Sequence, residues 1–242
     1  MFNFKGFSLH HRQSALKIGT DSVLLASVIP PSKPETLLDI GCGCGVITFC
    51  LAYKCSFYGL EKKCHVVGID SDLPSIEECR ENEKIFPKNS LLTFNFYHTS
   101  LQQFQNISPL IFDLIVANPP FFQNALKPEN IQRQNSKHAD HNLSFEELKE
   151  GVLTLLSQTG NFYLILPPTE QLFFDQIAAN SLFPQKRWEI FPSPKKPSNR
   201  IITEYSRTQP ERIIFKELYI RDIYGKHTKE YGKITELFYL DK

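Results

Sequence analysis

The chain has 242 residues, of which 41% are hydrophobic and 12% aromatic, a composition that suffices for one sizeable core. It contains no apolar run near the ~20 residues of a membrane-spanning helix, and its start lacks the long apolar core of a signal peptide. We therefore expect a cytoplasmic protein with a single domain over residues 1–242. Within it, residues 1–30 are predicted to form an N-terminal lid and helix, and residues 35–242 an α/β core.

The net charge of +1 conceals an uneven distribution along the chain. Residues 185–233 hold 12 Lys and Arg against 6 Asp and Glu, whereas residues 1–184 are acidic overall. A basic region beside a neutral core indicates contact with a polyanion. A solvated, lysine-rich surface explains the same charge without any partner.

The strongest local pattern is an apolar strand followed by alternating glycines. Thr36–Ile40 predicts a buried strand, Gly41, Gly43 and Gly45 follow it, and Val46–Tyr53 reads as a helix. A strand, a glycine turn and a helix open a nucleotide-binding βαβ unit. The spacing is G-x-G-x-G and not that of the dinucleotide motif. These glycines allow positive φ and a close approach of backbone to ligand.

The six cysteines all lie in the first third of the chain, two of them inside this glycine loop. They include no Cys-x-x-Cys pair, so a disulfide framework is not indicated. Cys42 and Cys44 are compatible with a metal site, but the flanking glycines and the following helix explain them better. We predict reduced thiols and no metal.

The second strand, Val66–Asp70, ends in an acidic residue. An acid at that position accepts hydrogen bonds from both hydroxyls of a ribose. The other interpretation of Asp70 is a cap for the helix that follows it. After the glycine loop, ribose binding is the favoured interpretation. A third strand is predicted over Leu91–Tyr97, before Thr99 and Ser100.

The fourth strand, Phe112–Ala117, is followed directly by Asn118-Pro119-Pro120-Phe121. The prolines stop the strand and stiffen the backbone at its carboxyl end, where open α/β sheets bind ligands. The Asn118 side chain and the Pro119 carbonyl are hydrogen-bond acceptors, and Phe121 offers an aromatic face. A planar amine such as the N6 of adenine fits this arrangement. A strand that simply ends in a turn is the alternative.

Residues 122–143 form a long polar segment, and Ser144 and Glu147 predict a capping box at the next helix. Further strands and helices alternate down to a closing helix over Thr228–Leu240. This alternation indicates an α/β fold with a mostly parallel sheet.

The order of these motifs resembles that of class I S-adenosylmethionine-dependent methyltransferases that act on amino groups. With the entry Leu16-Lys17-Ile18-Gly19-Thr20-Asp21 and the stretch Arg200-Ile-Ile-Thr-Glu204, nearly the whole chain is similar to the bacterial tRNA1(Val) adenine-N6 methyltransferase family. The resemblance implies a Rossmann-like, mostly parallel seven-stranded sheet with helices on both faces and an antiparallel last strand. It also implies methyl transfer from S-adenosylmethionine to an adenosine in tRNA beside the anticodon.

The resemblance assigns residues to the cofactor and to catalysis. The cofactor-binding candidates are Lys17, Thr20, Asp21, Asp39, Gly41, Gly43, Gly45, Asp70, Thr99, Ser100 and Asn118. The catalytic candidates are Asn118, Pro119 and Phe121. Relatives often carry an acid where this chain has Ser100. The uncharged Ser100 hydroxyl is expected to accept a hydrogen bond from the amino group of the cofactor's adenine. Without a negative charge, it is expected to bind the cofactor less tightly.

The RNA is expected to bind cationic side chains, with the protein acting as a monomer. The candidates are Arg133, Lys137, Lys195, Lys196 and Arg200. Three other functions stay open: methylation of adenine N6 or guanine N2 in ribosomal RNA, methylation of glutamine in release factors, and RNA binding without catalysis. The release-factor enzymes usually carry a separate N-terminal helical domain. Only about 35 residues precede the first predicted strand here, which is too few for such a domain. The glycine loop and Asn118 argue against a non-catalytic protein.

Overall fold

A computed structural model describes residues 1–12, 18–119 and 143–240 of the chain. Its elements, in chain order, are β1 (Phe2–Asn3), β2 (Ser8–Leu9), α1 (Thr20–Val28), β3 (Thr36–Ile40), α2 (Val46–Phe57), β4 (Cys64–Asp70), α3 (Leu73–Ile85), β5 (Leu92–His98), α4 (Leu101–Ile107), β6 (Phe112–Ala117), α5 (Phe145–Leu155), β7 (Leu156–Leu166), α6 (Pro168–Ala178), β8 (Phe183–Phe191), β9 (Arg200–Ser206), β10 (Ile214–Tyr219) and α7 (Lys229–Thr235). Over these ranges, none of the helices has the length and apolar character needed to cross a membrane.

Eight strands form one sheet in the order β10-β8-β9-β7-β6-β3-β4-β5. β9 is antiparallel to β7 and β8, and the other adjacent strands pair in parallel. The prediction of a Rossmann-like, mostly parallel sheet is confirmed, and β9 is the antiparallel last strand of a seven-stranded unit. The sheet nevertheless has one more strand than predicted, because Ile214–Tyr219 pairs in parallel with β8 and adds β10 at the edge.

Helices cover both faces of the sheet, because successive strand residues point to opposite sides. Leu37 belongs to the core that includes side chains of α1, α2, α3 and α7, whereas its neighbour Leu38 belongs to the core that includes α4, α5 and α6. β3 lies between β4 and β6 and is buried from both sides. This explains its continuous apolar run.

The pairing register brings three strand ends to one edge of the sheet. Ile40, the last residue of β3, pairs with Ile69 of β4 and with Ala117 of β6. Carboxyl ends of parallel strands form the ligand-binding edge of such sheets. The residues that follow these three are Gly41, Asp70 and Asn118.

The N-terminal hairpin and the C-terminal segment pack together. Phe4, Phe7 and Phe238 are buried in the same core cluster. The backbone N–H of Lys5 donates to the carbonyl of Phe238 at 2.8 Å. The hairpin therefore depends on the last part of the chain for its packing.

Candidate active site

The glycine loop after β3 is an open turn with left-handed backbone. Gly41, Gly43 and Gly45 have φ values of +70°, +55° and +84°, which L side chains rarely adopt. A Cβ on Gly41 or Gly43 would meet nothing within 4 Å, so a ligand can approach the backbone there. Gly45 differs, because a Cβ on it would lie 2.6 Å from the ring of Phe49. Its lack of a side chain allows α2 to pack at the end of the loop.

Asp39 lies below this loop with its carboxyl group fully buried. Its Oδ2 accepts hydrogen bonds from the backbone N–H of Thr48 at 3.0 Å and from the Thr48 hydroxyl at 2.5 Å. Its Oδ1 has no partner among the described residues. Burial raises the pKa of the Asp39 carboxyl to about 7, although the hydrogen bonds from Thr48 act to lower it. An orphaned carboxylate oxygen of this kind fits a ligand that carries an ammonium group.

Asp70 joins the end of β4 to the glycine loop. Its Oδ2 accepts from the N–H of Gly43 at 2.8 Å, and its Oδ1 accepts from the N–H of Asp72 at 2.9 Å. The N-cap of α3 is Asp72, which accepts from the N–H of Ser75 at 3.1 Å. Burial raises the pKa of Asp70. Because each carboxylate oxygen has two lone pairs, Asp70 retains acceptor capacity for hydroxyl groups.

Thr99 and Ser100 follow β5 at the same edge as Asp70. The N–H of Thr99 donates to the carbonyl of Asp70 at 3.0 Å. Ser100 is the N-cap of α4, and its hydroxyl accepts from the N–H of Gln103 at 3.3 Å. The Ser100 hydroxyl oxygen therefore already accepts one hydrogen bond within α4, and its second lone pair can accept one more. α4 was not predicted, although a serine such as Ser100 is a common signal for the start of a helix.

Asn118 follows β6, and its side chain is oriented by a residue of α1. Its Nδ2 donates to Ser22 Oγ at 3.1 Å. This hydrogen bond leaves Oδ1 as the acceptor of the amide. The neighbouring Pro119 is buried, and Phe121 lies outside the described residues. Ser22 was not among the sequence candidates, because nothing in the local sequence links it to a residue 96 positions away.

The start of α1 also borders a cleft of about 530 Å³. Thr20 and Asp21 line it together with Lys196 and Arg200. The Nε of Arg200 donates to Asp21 Oδ2 at 2.7 Å. Two residues predicted to bind different ligands, Asp21 the cofactor and Arg200 the RNA, therefore form an ion pair with each other.

Other candidates have no described contact in the site. Lys195 is exposed in the loop before β9. Lys17, Arg133 and Lys137 lie outside the described residues. All six cysteines are buried and free, with Cys42 Sγ 3.9 Å from Cys79 Sγ. Over the described ranges, no three His, Cys, Asp or Glu side chains are grouped so as to hold a metal ion.

The site can thus hold two ligands at one sheet edge. Asp39, the glycine loop and Asp70 offer acceptors and open backbone to an ammonium group and a ribose. Asn118 offers a directed acceptor to an amine at the neighbouring strand end.

Comparison with known proteins identifies the family that shares this arrangement. The family model of the methyltransferase small domain matches residues 9–163. A tRNA1(Val) (adenine(37)-N6)-methyltransferase of Bacteroides fragilis (strain YCH46) is 33% identical over 240 residues, 99% of this chain and 97% of that protein. The enzyme of the same name from Flavobacterium johnsoniae is 34% identical over 242 residues, 99% of each chain. The chain belongs to the tRNA1(Val) (adenine(37)-N6)-methyltransferase family.

Solved structures of methyltransferases share the fold. A predicted O-methyltransferase from Agrobacterium tumefaciens matches with a TM-score of 0.65 at 16% identity, over 92% of this chain and 99% of that chain. Ribosomal protein L11 methylase from Lactobacillus delbrueckii subsp. bulgaricus matches with a TM-score of 0.51 at 20% identity, over 78% and 77%. A member of the tRNA1(Val) (adenine(37)-N6)-methyltransferase family is an enzyme that uses S-adenosylmethionine, and the orphaned oxygen of Asp39 and the open glycine loop fit that cofactor.

Proposed function

We propose that the protein methylates the exocyclic N6 of the adenosine beside the anticodon of tRNA1(Val). The observation that carries this proposal is the Asn118 amide, which Ser22 orients at the sheet edge shared with Gly41 and Asp70. The relatives named above are tRNA adenine-N6 methyltransferases, which supports the choice of substrate. Because the proposed substrate is a tRNA, we propose that the protein acts in the cytoplasm.

The residues of the glycine loop and its neighbours would hold the cofactor, which when bound supplies an electrophilic methyl group on a sulfonium. The Asp39 carboxylate would accept from the ammonium of its methionine end, and Asp70 would accept from its ribose hydroxyls. The residues proposed to hold it are Asp39, Gly41, Gly43, Gly45, Asp70, Thr99 and Ser100.

Asn118 and Pro119 would act on the amine. The two N6 hydrogens would be accepted by Asn118 Oδ1 and by the Pro119 carbonyl. These bonds favour a pyramidal nitrogen whose lone pair is available, and they stabilise the positive charge that develops on it. The methylated ammonium is acidic enough to lose its proton to water, so the site needs no strong base. Phe121, beyond the described residues, is proposed to stack on the adenine ring.

The cations of the C-terminal half would bind the tRNA backbone. Lys195 and Lys196 lie exposed in the loop that borders the cleft, and Arg133 and Lys137 belong to the segment that follows Asn118 in sequence. Arg200 contributes less directly, since its guanidinium is paired with Asp21.

The proposed function is tested by replacing Asn118. The Asn118→Ala variant should lose about a hundredfold or more of kcat, the usual effect of removing one oriented group that stabilises developing charge. Its affinity for S-adenosylmethionine, measured by calorimetry, should stay within about twofold. Asn106→Ala, on the exposed face of α4, is the matched control and should behave as wild type. Loss of cofactor binding together with turnover in Asn118→Ala would refute the assigned role.

The substrate is tested by methyl transfer from labelled S-adenosylmethionine to total tRNA, ribosomal RNA and release factor, followed by nucleoside analysis. N6-methyladenosine confined to tRNA is the expected result. Label in ribosomal RNA, or on a release-factor glutamine, would replace the proposed substrate. No cofactor binding at all would indicate a non-catalytic RNA-binding protein.

A further inference from the structure

A turn near the C-terminal end presents an aromatic side chain to solvent. Residues 221–227, which we term the aromatic turn, connect β10 to α7. The Tyr224 side chain on this turn is 81% exposed, and its neighbour Ile223 is 57% exposed. Tyrosine is enriched at binding interfaces, because its ring is apolar while its hydroxyl can stay hydrated.

The aromatic turn is held by hydrogen bonds of its own. Asp222 Oδ1 accepts from the N–H of Tyr224 at 2.8 Å and from that of Lys226 at 3.0 Å. The N–H of Asp222 donates to the carbonyl of Lys226 at 2.8 Å. Arg221 Nη1 donates to the carbonyl of Gly225 at 2.7 Å. Because the backbone is fixed, Tyr224 loses little conformational entropy when a ligand stacks on it.

The cleft beside the aromatic turn has the charge of an anion site. Lys196 and Arg221 line it. Its two acidic lining residues are already engaged: Asp21 in the ion pair with Arg200, and Asp222 with the backbone of the turn. With Arg200 included, three cations line the cleft against these two carboxylates, so a phosphate would meet a net positive charge there.

The cleft and the Asn118 amide both contact the first turn of α1. Asp21 lines the cleft, and the next residue, Ser22, accepts the hydrogen bond from Asn118. A polymer whose base reaches Asn118 would thus continue along the cleft towards Tyr224. Among partners, a nucleic acid strand satisfies both the aromatic and the cationic groups, and an apolar protein surface would satisfy only the first.

We propose that Tyr224 stacks on an unpaired base that neighbours the target adenosine, while Lys196 and Arg221 bind a phosphate between the two nucleotides. This inference rests on the proposed function, because it takes the anticodon loop of tRNA as the occupant. Stacking of this kind tolerates any base, so Tyr224 contributes affinity and positioning, and not sequence readout.

The test compares Tyr224→Ala and Tyr224→Phe with wild type on an unmodified tRNA1(Val) transcript. Tyr224→Ala should weaken transcript binding and raise KM by roughly 5- to 150-fold, the range that loss of one stacked base predicts. Its kcat at saturating tRNA and its affinity for S-adenosylmethionine should stay within about twofold. Tyr224→Phe keeps the ring and should retain wild-type KM. Tyr58→Ala is the matched control, because Tyr58 is 50% exposed at the end of α2.

The possible results separate this inference from the proposed function. An active wild type with an unchanged KM in Tyr224→Ala overturns the inference and leaves the proposed function standing. An equal loss in Tyr224→Phe, or in Tyr58→Ala, also overturns stacking at Tyr224. A wild type that binds S-adenosylmethionine but methylates no tRNA overturns the proposed function, and this inference with it.

Discussion

At the scale of single residues, Asp39 is a carboxyl group whose protonation depends on what binds beside it. Burial raises its pKa from an ordinary value of 3.8 to about 7, so the folded protein keeps a proton that the unfolded chain has already lost at pH 5 or 6. The contribution of Asp39 to stability is therefore present at low pH and is lost as the pH rises from about 4 through about 7. A cation next to Oδ1 would favour the ionised form and reverse the shift.

We predict that S-adenosylmethionine binding expels this proton. At about pH 6 the free protein carries protonated Asp39, and an ammonium group at Oδ1 would ionise it, so close to one proton should be released. By about pH 8.5 the carboxyl is already ionised and the release should vanish. Calorimetric titration in buffers of different ionisation enthalpy measures this number directly.

The control for proton release is a pair of carboxamide variants. Asp39→Asn cannot lose the proton and should bind with no release at pH 6, whereas Glu150→Gln, on the exposed side of α5, should release as wild type does. Unchanged release in Asp39→Asn would show that the ammonium lies elsewhere.

At the scale of elements, α1 is anchored to α2 by a buried lysine. The Lys54 ammonium donates to the carbonyls of Ala26 at 3.0 Å, Ser27 at 2.9 Å and Ile29. These carbonyls belong to the last turn of α1 and its end, where helix acceptors have no partner within the helix. Burial lowers the pKa of Lys54 to about 8, which leaves the amine mostly charged at neutral pH.

Replacing Lys54 should therefore loosen the helix that carries Ser22. Lys54→Met keeps most of the volume but leaves buried carbonyls without a donor, which costs about 2–4 kcal/mol of unfolding free energy. Urea denaturation gives the magnitude. Lys62→Met removes an exposed lysine and should leave the transition midpoint unchanged. Equal midpoints for the two variants would mean that Lys54 is not what fixes the end of α1.

The N-terminal segment is tied to the glycine loop by another buried side chain, Asn82 of α3. Its Oδ1 accepts from the N–H of His10 at 2.7 Å, and its Nδ2 donates to the carbonyls of His10 and Cys44 at 3.0 Å each. This amide fixes the separation between the strand that leads towards α1 and the loop that would hold the cofactor.

At the scale of the whole molecule, the excess of cations over residues 185–233 should make tRNA affinity depend on salt. Each phosphate contact releases counterions, so the logarithm of affinity should fall linearly with the logarithm of salt concentration. Lys196→Gln should reduce the slope by about 1 and weaken binding at low salt, as measured in a salt series. Lys84→Gln, an exposed lysine of α3, is the control. A slope that Lys196→Gln leaves unchanged would place this phosphate contact on other residues.

The sequence predicts those parts of the site that neighbouring residues determine. β3, β4 and β6 are apolar runs that end at a glycine, an aspartate and an Asn-Pro pair, so their strand ends could be located without coordinates. The ion pair between Asp21 and Arg200 joins residues 179 positions apart, and no local pattern encodes it. β10 adds a strand to the seven that the resemblance implies, and its place beside β8 depends on tertiary pairing. That the protein is a monomer remains a prediction.

The hydrogen bond between Lys5 and Phe238 can form only after the residues between them have been synthesised. The hairpin is synthesised well before its partner, and at translation rates of 5–20 residues per second the wait is roughly 10 to 50 seconds. During that time Phe4 and Phe7 have not yet met Phe238. The fixed position of the segment that leads to α1 thus belongs to the finished chain, and a nascent protein stalled before residue 238 would carry the glycine loop with its N-terminal cover incompletely packed.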